Sequence, residues 1–206
     1  EEKEMAEIPL LERALVLGVL CNNAALPAGD GGQPVGDPLE ISLLAVGRAA
    51  GLEREELLAG WPEVREIAFS NETNMMATFH RREGRILVAV KGAPEAVLAA
   101  STAAAGQEGK FSEEQKQQWR EWNEQMAADG LRMLAVAQKE VESEEAEPYE
   151  GLQFMGLVGF IDPPRREIGA IIEQCRQACD DLGGHLGLVG GLVRQHRVAD
   201  HIPDSK

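Results

Sequence analysis

Residues 69–95, FSNETNMMATFHRREGRILVAVKGAPE, restrict the possible folds more than any other stretch. Two apolar runs flank a polar turn at Arg82, Glu83 and Gly84, which is the pattern of a β-hairpin. The second run, Ile86-Leu87-Val88-Ala89-Val90, is apolar throughout and predicts a strand covered on both faces. It ends in Lys91, after which Gly92 and Pro94 break the strand. A lysine at the buried end of a central strand is costly unless an anion meets it. Phe69 opens the stretch, and an aromatic face near a cation suits a flat base that carries phosphates.

The remaining segments supply covers for such a hairpin. Residues 8–21 place Leu10, Leu11, Ala14, Leu15, Leu17 and Val19 in helical rows and predict a largely buried helix. Residues 22–36 read as a loop rich in Gly and Pro. Asp37 as N-cap, Pro38 at the first helical position and Glu40 at the third predict a capping box and a helix ending at Gly51. A short helix is expected over 54–59 and an extended run over 64–69. A further short helix should cover 94–100, followed by a small-residue loop over 101–109. Ser112 and Gln115 form a second capping box, opening a helix that Gly130 stops. Residues 132–138 and 152–161 read as strands, and the acid-rich run 140–150 between them as a solvated linker. Residues 167–179 read as helical, and no internal repeat is visible.

Totals narrow the function. The formal net charge of −15 repels nucleic acid and anionic membrane surfaces, although a local cationic pocket can still take ATP. Three cysteines, Cys21, Cys175 and Cys179, argue against a disulfide framework and for a reducing compartment. The opening Glu1-Glu2-Lys3-Glu4 is unlike a signal peptide. No apolar run approaches the ~18 residues of a membrane helix, so a soluble chain is expected.

The familiar chemical motifs are missing. Residues 104–111, AAGQEGKF, lack the first glycine and the hydroxyl residue of a phosphate-binding P-loop. Gly183, Gly184, Gly187, Gly190 and Gly191 lack the spacing of a dinucleotide fingerprint. Cys175 and Cys179, with His185 nearby, could be half a metal site, but helix packing is the simpler reading. His80 is expected at a solvated strand position. Taken singly, Glu40 is a capping residue, Phe69 a core aromatic, Lys91 a snorkelling lysine, and Arg132 a partner for Asp129 or the acids downstream.

Together and in order, these residues resemble a known family. Lys91-Gly92-Ala93-Pro94-Glu95 is similar to the KGAPE signature of the nucleotide-binding domain of type II cation-transporting P-type ATPases, and the resemblance is to bacterial calcium-pump-like members. Phe69-Ser70 followed by Met75-Met76 resembles the adenine-site strand of that family. Cys21-Asn22-Asn23-Ala24 resembles its CN(D/N)A helix end, and Gly36-Asp37-Pro38-Leu39-Glu40 its GDPTE segment. Residues 129–137 resemble DGLRVLAVA, and residues 157–165 resemble LVGLIDPPR.

The resemblance implies an α+β fold, a mainly antiparallel twisted sheet flanked by helices, over residues 1–153. Residues 154–179 would be the hinge and start of a phosphorylation domain, with Asp162, Pro163, Pro164 and Arg165 at the hinge, and 180–206 a divergent tail. It implies an ATP pocket in which Glu40 contacts the adenine amino edge, Phe69 stacks on the base, Lys91 is the floor cation and Arg132 lies near the phosphates. Asn74, Met76, Gly92, Ala93 and Leu134 would complete it. Asn71 and Asn74 stand where the calcium-pump branch is often basic. No DKTGT, TGD or GDGxNDxP is present, so the expected activity is ATP holding without turnover. ATP, with Mg²⁺ in the full pump, and the phosphorylation, actuator and transmembrane domains are the implied partners, on the cytoplasmic side of the plasma membrane. A stand-alone regulatory nucleotide-binding module, or an interaction domain with a degenerate pocket, are the alternative readings.

Overall fold

The computed structural model describes residues 10–27 and 32–161. The hinge residues Asp162, Pro163, Pro164 and Arg165, the helix expected over 167–179, Cys175, Cys179, His185 and the tail all lie outside the described residues.

The hairpin forms where the sequence places it. Strands β2 (Met75–Arg82) and β3 (Arg85–Gly92) pair antiparallel in unbroken register from Met75↔Gly92 to Arg82↔Arg85. Glu83 and Gly84 link them, both at positive φ (48° and 81°), as a two-residue turn matching the strand twist requires. Around this hairpin a six-stranded sheet assembles in the order β1-β2-β3-β5-β6-β4, with β1 (Glu63–Ser70), β4 (Ser101–Ala104), β5 (Arg132–Val141) and β6 (Leu152–Phe160). All pairings are antiparallel except β4 with β6. The fold is α+β with a mainly antiparallel sheet, as expected.

Helices cover both faces, which is why β3 is apolar throughout. On one face α1 (Leu10–Leu20) lies against the sheet: Val16, Leu17, Leu20 and Cys21 pack on Met76, Leu87, Ala89 and Val136, joined by Trp61 after α3 (Arg54–Gly60). Helix α2 (Pro38–Ala49) packs outside α1 through Leu44 and Ile41 against Val19 and Ala24. On the other face α4 (Pro94–Ala100) and α5 (Glu113–Ala128) close over Ala77, Phe79, Val88, Val90 and Phe154. There Phe154 stacks on Phe111 and meets Trp119 edge-on, at centroid distances of 5.7 and 4.9 Å. The Ser112–Gln115 capping box is present. Among the described residues no helix is long and apolar enough to cross a membrane.

Four expectations are corrected. Ser101–Ala104 is a short edge strand, not loop, because the open edge of β6 offers it backbone partners. His80 is fully buried rather than solvated: Nδ1 donates to the Trp61 carbonyl (3.2 Å) and Nε2 accepts from Thr78 Oγ1 (2.8 Å). Satisfying both ring nitrogens makes its burial tolerable. The acid-rich run is not a free linker either. β5 continues through Glu140 and Val141, and Arg65 then donates to the Glu144 and Ala146 carbonyls, at 2.6 and 3.3 Å. Arg81 pairs with Glu144, and Lys139 donates to the Glu147 and Glu150 carbonyls, so basic side chains hold the strap on the sheet. Finally, Asp37 caps α2 through Leu39 N (2.8 Å), but Glu40 does not close the capping box. Its carboxylate is engaged elsewhere.

Candidate functional site

Strand alternation puts Leu87, Ala89 and Lys91 on the α1 face of β3. Lys91 pairs across the ladder with Met76 on one side and Val136 on the other, so its stem lies between apolar neighbours. The residue is 6% exposed, which excludes snorkelling. The anion it needs comes from α2: Nζ lies 2.5 Å from Glu40 Oε1. Glu40 sits in the first turn of α2, where the helix dipole also favours a carboxylate.

The Cys21-Asn22-Asn23-Ala24 turn places Glu40. Asn22 is fully buried, and its amide donates to the carbonyls of Gly18 (3.3 Å) and Glu40 (3.0 Å) while accepting from Ala24 N (2.8 Å). One side chain thus ties the end of α1 to the start of α2. Asn23 N donates to Glu40 Oε2 at 3.3 Å, and Asn23 Nδ2 to Glu66 Oε1 on β1 at 2.7 Å. Arg54 Nη2 donates to the Asn22 carbonyl at 2.6 Å. Gly36 closes the turn at φ 129°, where a Cβ would lie 2.7 Å from Ala24 Cα. Beneath Lys91, the Cys21 thiol reaches the Met76 carbonyl at 3.6 Å, and burial pushes its pKa up to about 11 against the pull of the Lys91 charge.

The sequence profile of the cytoplasmic N domain of P-type ATPases matches residues 10–167. This chain belongs to that family. It is 34% identical over 201 residues to the cation-transporting ATPase pma1 of Synechocystis, covering 93% of this chain and 22% of that protein. It is 32% identical over 187 residues to a calcium-transporting ATPase of Bacillus subtilis, covering 86% of this chain and 21% of that protein. A probable cation-transporting ATPase F of Mycobacterium bovis is 32% identical over 201 residues, with coverages of 93% and 22%. The chain spans about a fifth of the length of these relatives.

Within the N domain, the sequence-derived site residues divide into three groups. Glu40 and Lys91 pair directly, and Met76 lies beside Lys91 across the β2–β3 ladder. Leu134 and Arg132 share the Lys91 face of β5 with Val136, with Arg132 four residues, or about 13 Å, along the strand from it. Arg132 is exposed and pairs with neither Asp129 nor any other acid among the described residues. Asn74, Gly92 and Ala93 meet through their backbones. Asn74 adopts a left-handed conformation (φ 54°), takes Ser70 O as acceptor and receives Ala93 N at 2.9 Å. Gly92 runs so close to β2 that a Cβ would lie 2.9 Å from Met75 Cα. Phe69 stands apart, 58% exposed on the outer strand β1 and outside both core layers. Glu66 and Arg54 were not singled out by the sequence reading, and Asn22 and Asn23 entered it only within the CN(D/N)A resemblance, without a role of their own. Their signal was an asparagine pair just past a helix end, where short amides bond local backbone.

Proposed function

We propose that this N domain holds ATP for a cation-transporting P-type ATPase. Glu40 accepts from the adenine amino group, Phe69 stacks on the base, and Lys91 fixes Glu40 at the pocket floor. Arg132 meets the phosphates, while Met76 and Leu134 form apolar wall and Asn74, Gly92 and Ala93 shape the rim. The observation that carries this reading is the 2.5 Å contact between Lys91 and Glu40, both largely buried yet drawn from separate elements. Such a pair is an expensive way to stabilise a fold, which favours a role in recognition. The exposed Phe69 ring also supports a stacking role, since an aromatic this open contributes little to the core.

Transfer requires a partner. Closure at the hinge, residues 162–165, brings the γ-phosphate to an aspartate of a phosphorylation domain. An aspartate oxygen attacks the γ-phosphorus in line, the bond to the bridging oxygen breaks, and ADP leaves. The aspartyl-phosphate and its hydrolysis then drive ion movement through transmembrane and actuator domains. Mg²⁺ enters the full pump with the triphosphate, whose oxygens suit a hard cation.

An ATP titration followed by backbone amide NMR tests this directly. Shifts clustered at Glu40, Phe69, Gly92 and Arg132 are expected, without sustained hydrolysis by the isolated chain. No response at millimolar ATP overturns the reading.

A further inference from the structure

Glu40 and Phe69 stand on elements with no backbone pairing between them, α2 and β1. A site that uses both must control the gap between them. Asn23 spans that gap. Its backbone N–H donates to Glu40 Oε2 (3.3 Å), and its side-chain amide donates to Glu66 Oε1 (2.7 Å), three residues before Phe69 on β1. Asn23 is itself exposed and belongs to none of the core clusters, unlike Asn22, which is buried and holds the turn together.

We infer that Asn23 is a positioning residue: through Glu66 it sets Glu40 relative to the Phe69 strand, and so sets how strictly the pocket reads the amino edge of a purine. This rests on the ATP-holding role proposed above. A carboxylate has about four lone-pair directions. Asn23 N–H takes one on Oε2 and Lys91 Nζ one on Oε1, which leaves the carboxylate oriented and still able to accept from a 6-amino group. A 6-oxo purine offers only lone pairs there and is rejected. Without the Asn23–Glu66 tie, the turn and its N–H keep only the indirect link to β1 through Arg54 and Glu63, and the carboxylate is less well aimed.

The test is calorimetric binding of ATP and of ITP, which carries a 6-oxo group, to the whole chain. The readout is the ratio of the two affinities. It cancels general effects of charge on triphosphate binding. Wild type is expected to prefer ATP, and Glu40→Gln to narrow the preference. Asn23→Ala should melt like wild type but lose about three- to tenfold of the ATP preference. Glu66→Ala should match it, and the double variant should lose no more than either single one. Glu66→Gln, which keeps an acceptor for the Asn23 amide, should retain the preference. If Glu40→Gln narrows the ratio but Asn23→Ala leaves it at the wild-type value, the positioning role is overturned. If Glu40→Gln leaves the ratio unchanged, the base-edge reading itself fails, and the positioning role falls with it.

Discussion

Lys91 Nζ lies 2.5 Å from Glu40 Oε1 and closes an ion pair across 51 residues of chain. The lysine ends the central strand and the glutamate opens a helix two layers away. Removing one partner leaves the other charge buried, so Lys91→Ala should lower unfolding free energy by about 3 kcal/mol. Lys91→Met combined with Glu40→Gln should recover most of that loss. Urea unfolding curves of wild type and both variants check these statements, and neither variant should preserve ATP binding.

Phe69 should show the opposite balance. Its ring is 58% exposed, so Phe69→Ala should change stability by less than about 0.5 kcal/mol. The same change should weaken ATP binding by about 1–3 kcal/mol through lost base stacking. Thermal melts and calorimetric titration on one sample separate the two effects. Unchanged ATP affinity would count against the pose.

Arg132 is exposed, and the proposed pocket sets it near the phosphates. Arg132→Ala should weaken ATP by about 1.5 kcal/mol and leave adenosine binding untouched. Raising the salt concentration should shrink the difference for ATP. An equal loss for adenosine would place Arg132 away from the phosphates.

His80 makes stability depend on pH. Burial lowers its pKa from 6.5 to about 4, outweighing the Trp61 carbonyl bond that raises it. The unfolded chain therefore binds the proton more readily than the folded one. The contribution is fully present above about pH 6.5 and is lost as pH falls towards 4, to a total of about 3 kcal/mol. His80→Gln should remove this slope from the pH dependence of unfolding free energy between those values. A slope that survives the substitution must come from other groups.

The contrast between Lys91 and His80 shows how far the sequence could be read. Lys91 follows an uninterrupted apolar run, so its burial and its need for an anion were both visible in one strand. His80 lies on the equally buried partner strand, but flanking arginines at 81 and 82 gave that end a solvated look. Its burial depends on the Trp61 carbonyl, 19 residues earlier, which no local pattern announces. Glu40 shows the same limit from the other side. Spacing from Asp37 matched a capping box, yet a cation on β3 and a backbone N–H from the α1 turn claimed the carboxylate instead. The acid-rich run was read as solvated for want of its clasping bases, since Arg65 and Arg81 reach it from β1 and β2.

By itself the sequence determined the hairpin, the capped helices, the two-sided burial of β3 and the order of the residues resembling a nucleotide site. Each of these rests on periodicity or on chemistry within a few positions, where the chain's own geometry decides. Only the tertiary structure decided which anion meets Lys91, which turn aims Glu40 and which side chain bridges Glu66. Those are contacts between segments 17 to 51 residues apart. Their geometry exists only once helices and sheet have packed, because a hydrogen bond is formed by position and direction, and composition alone supplies neither.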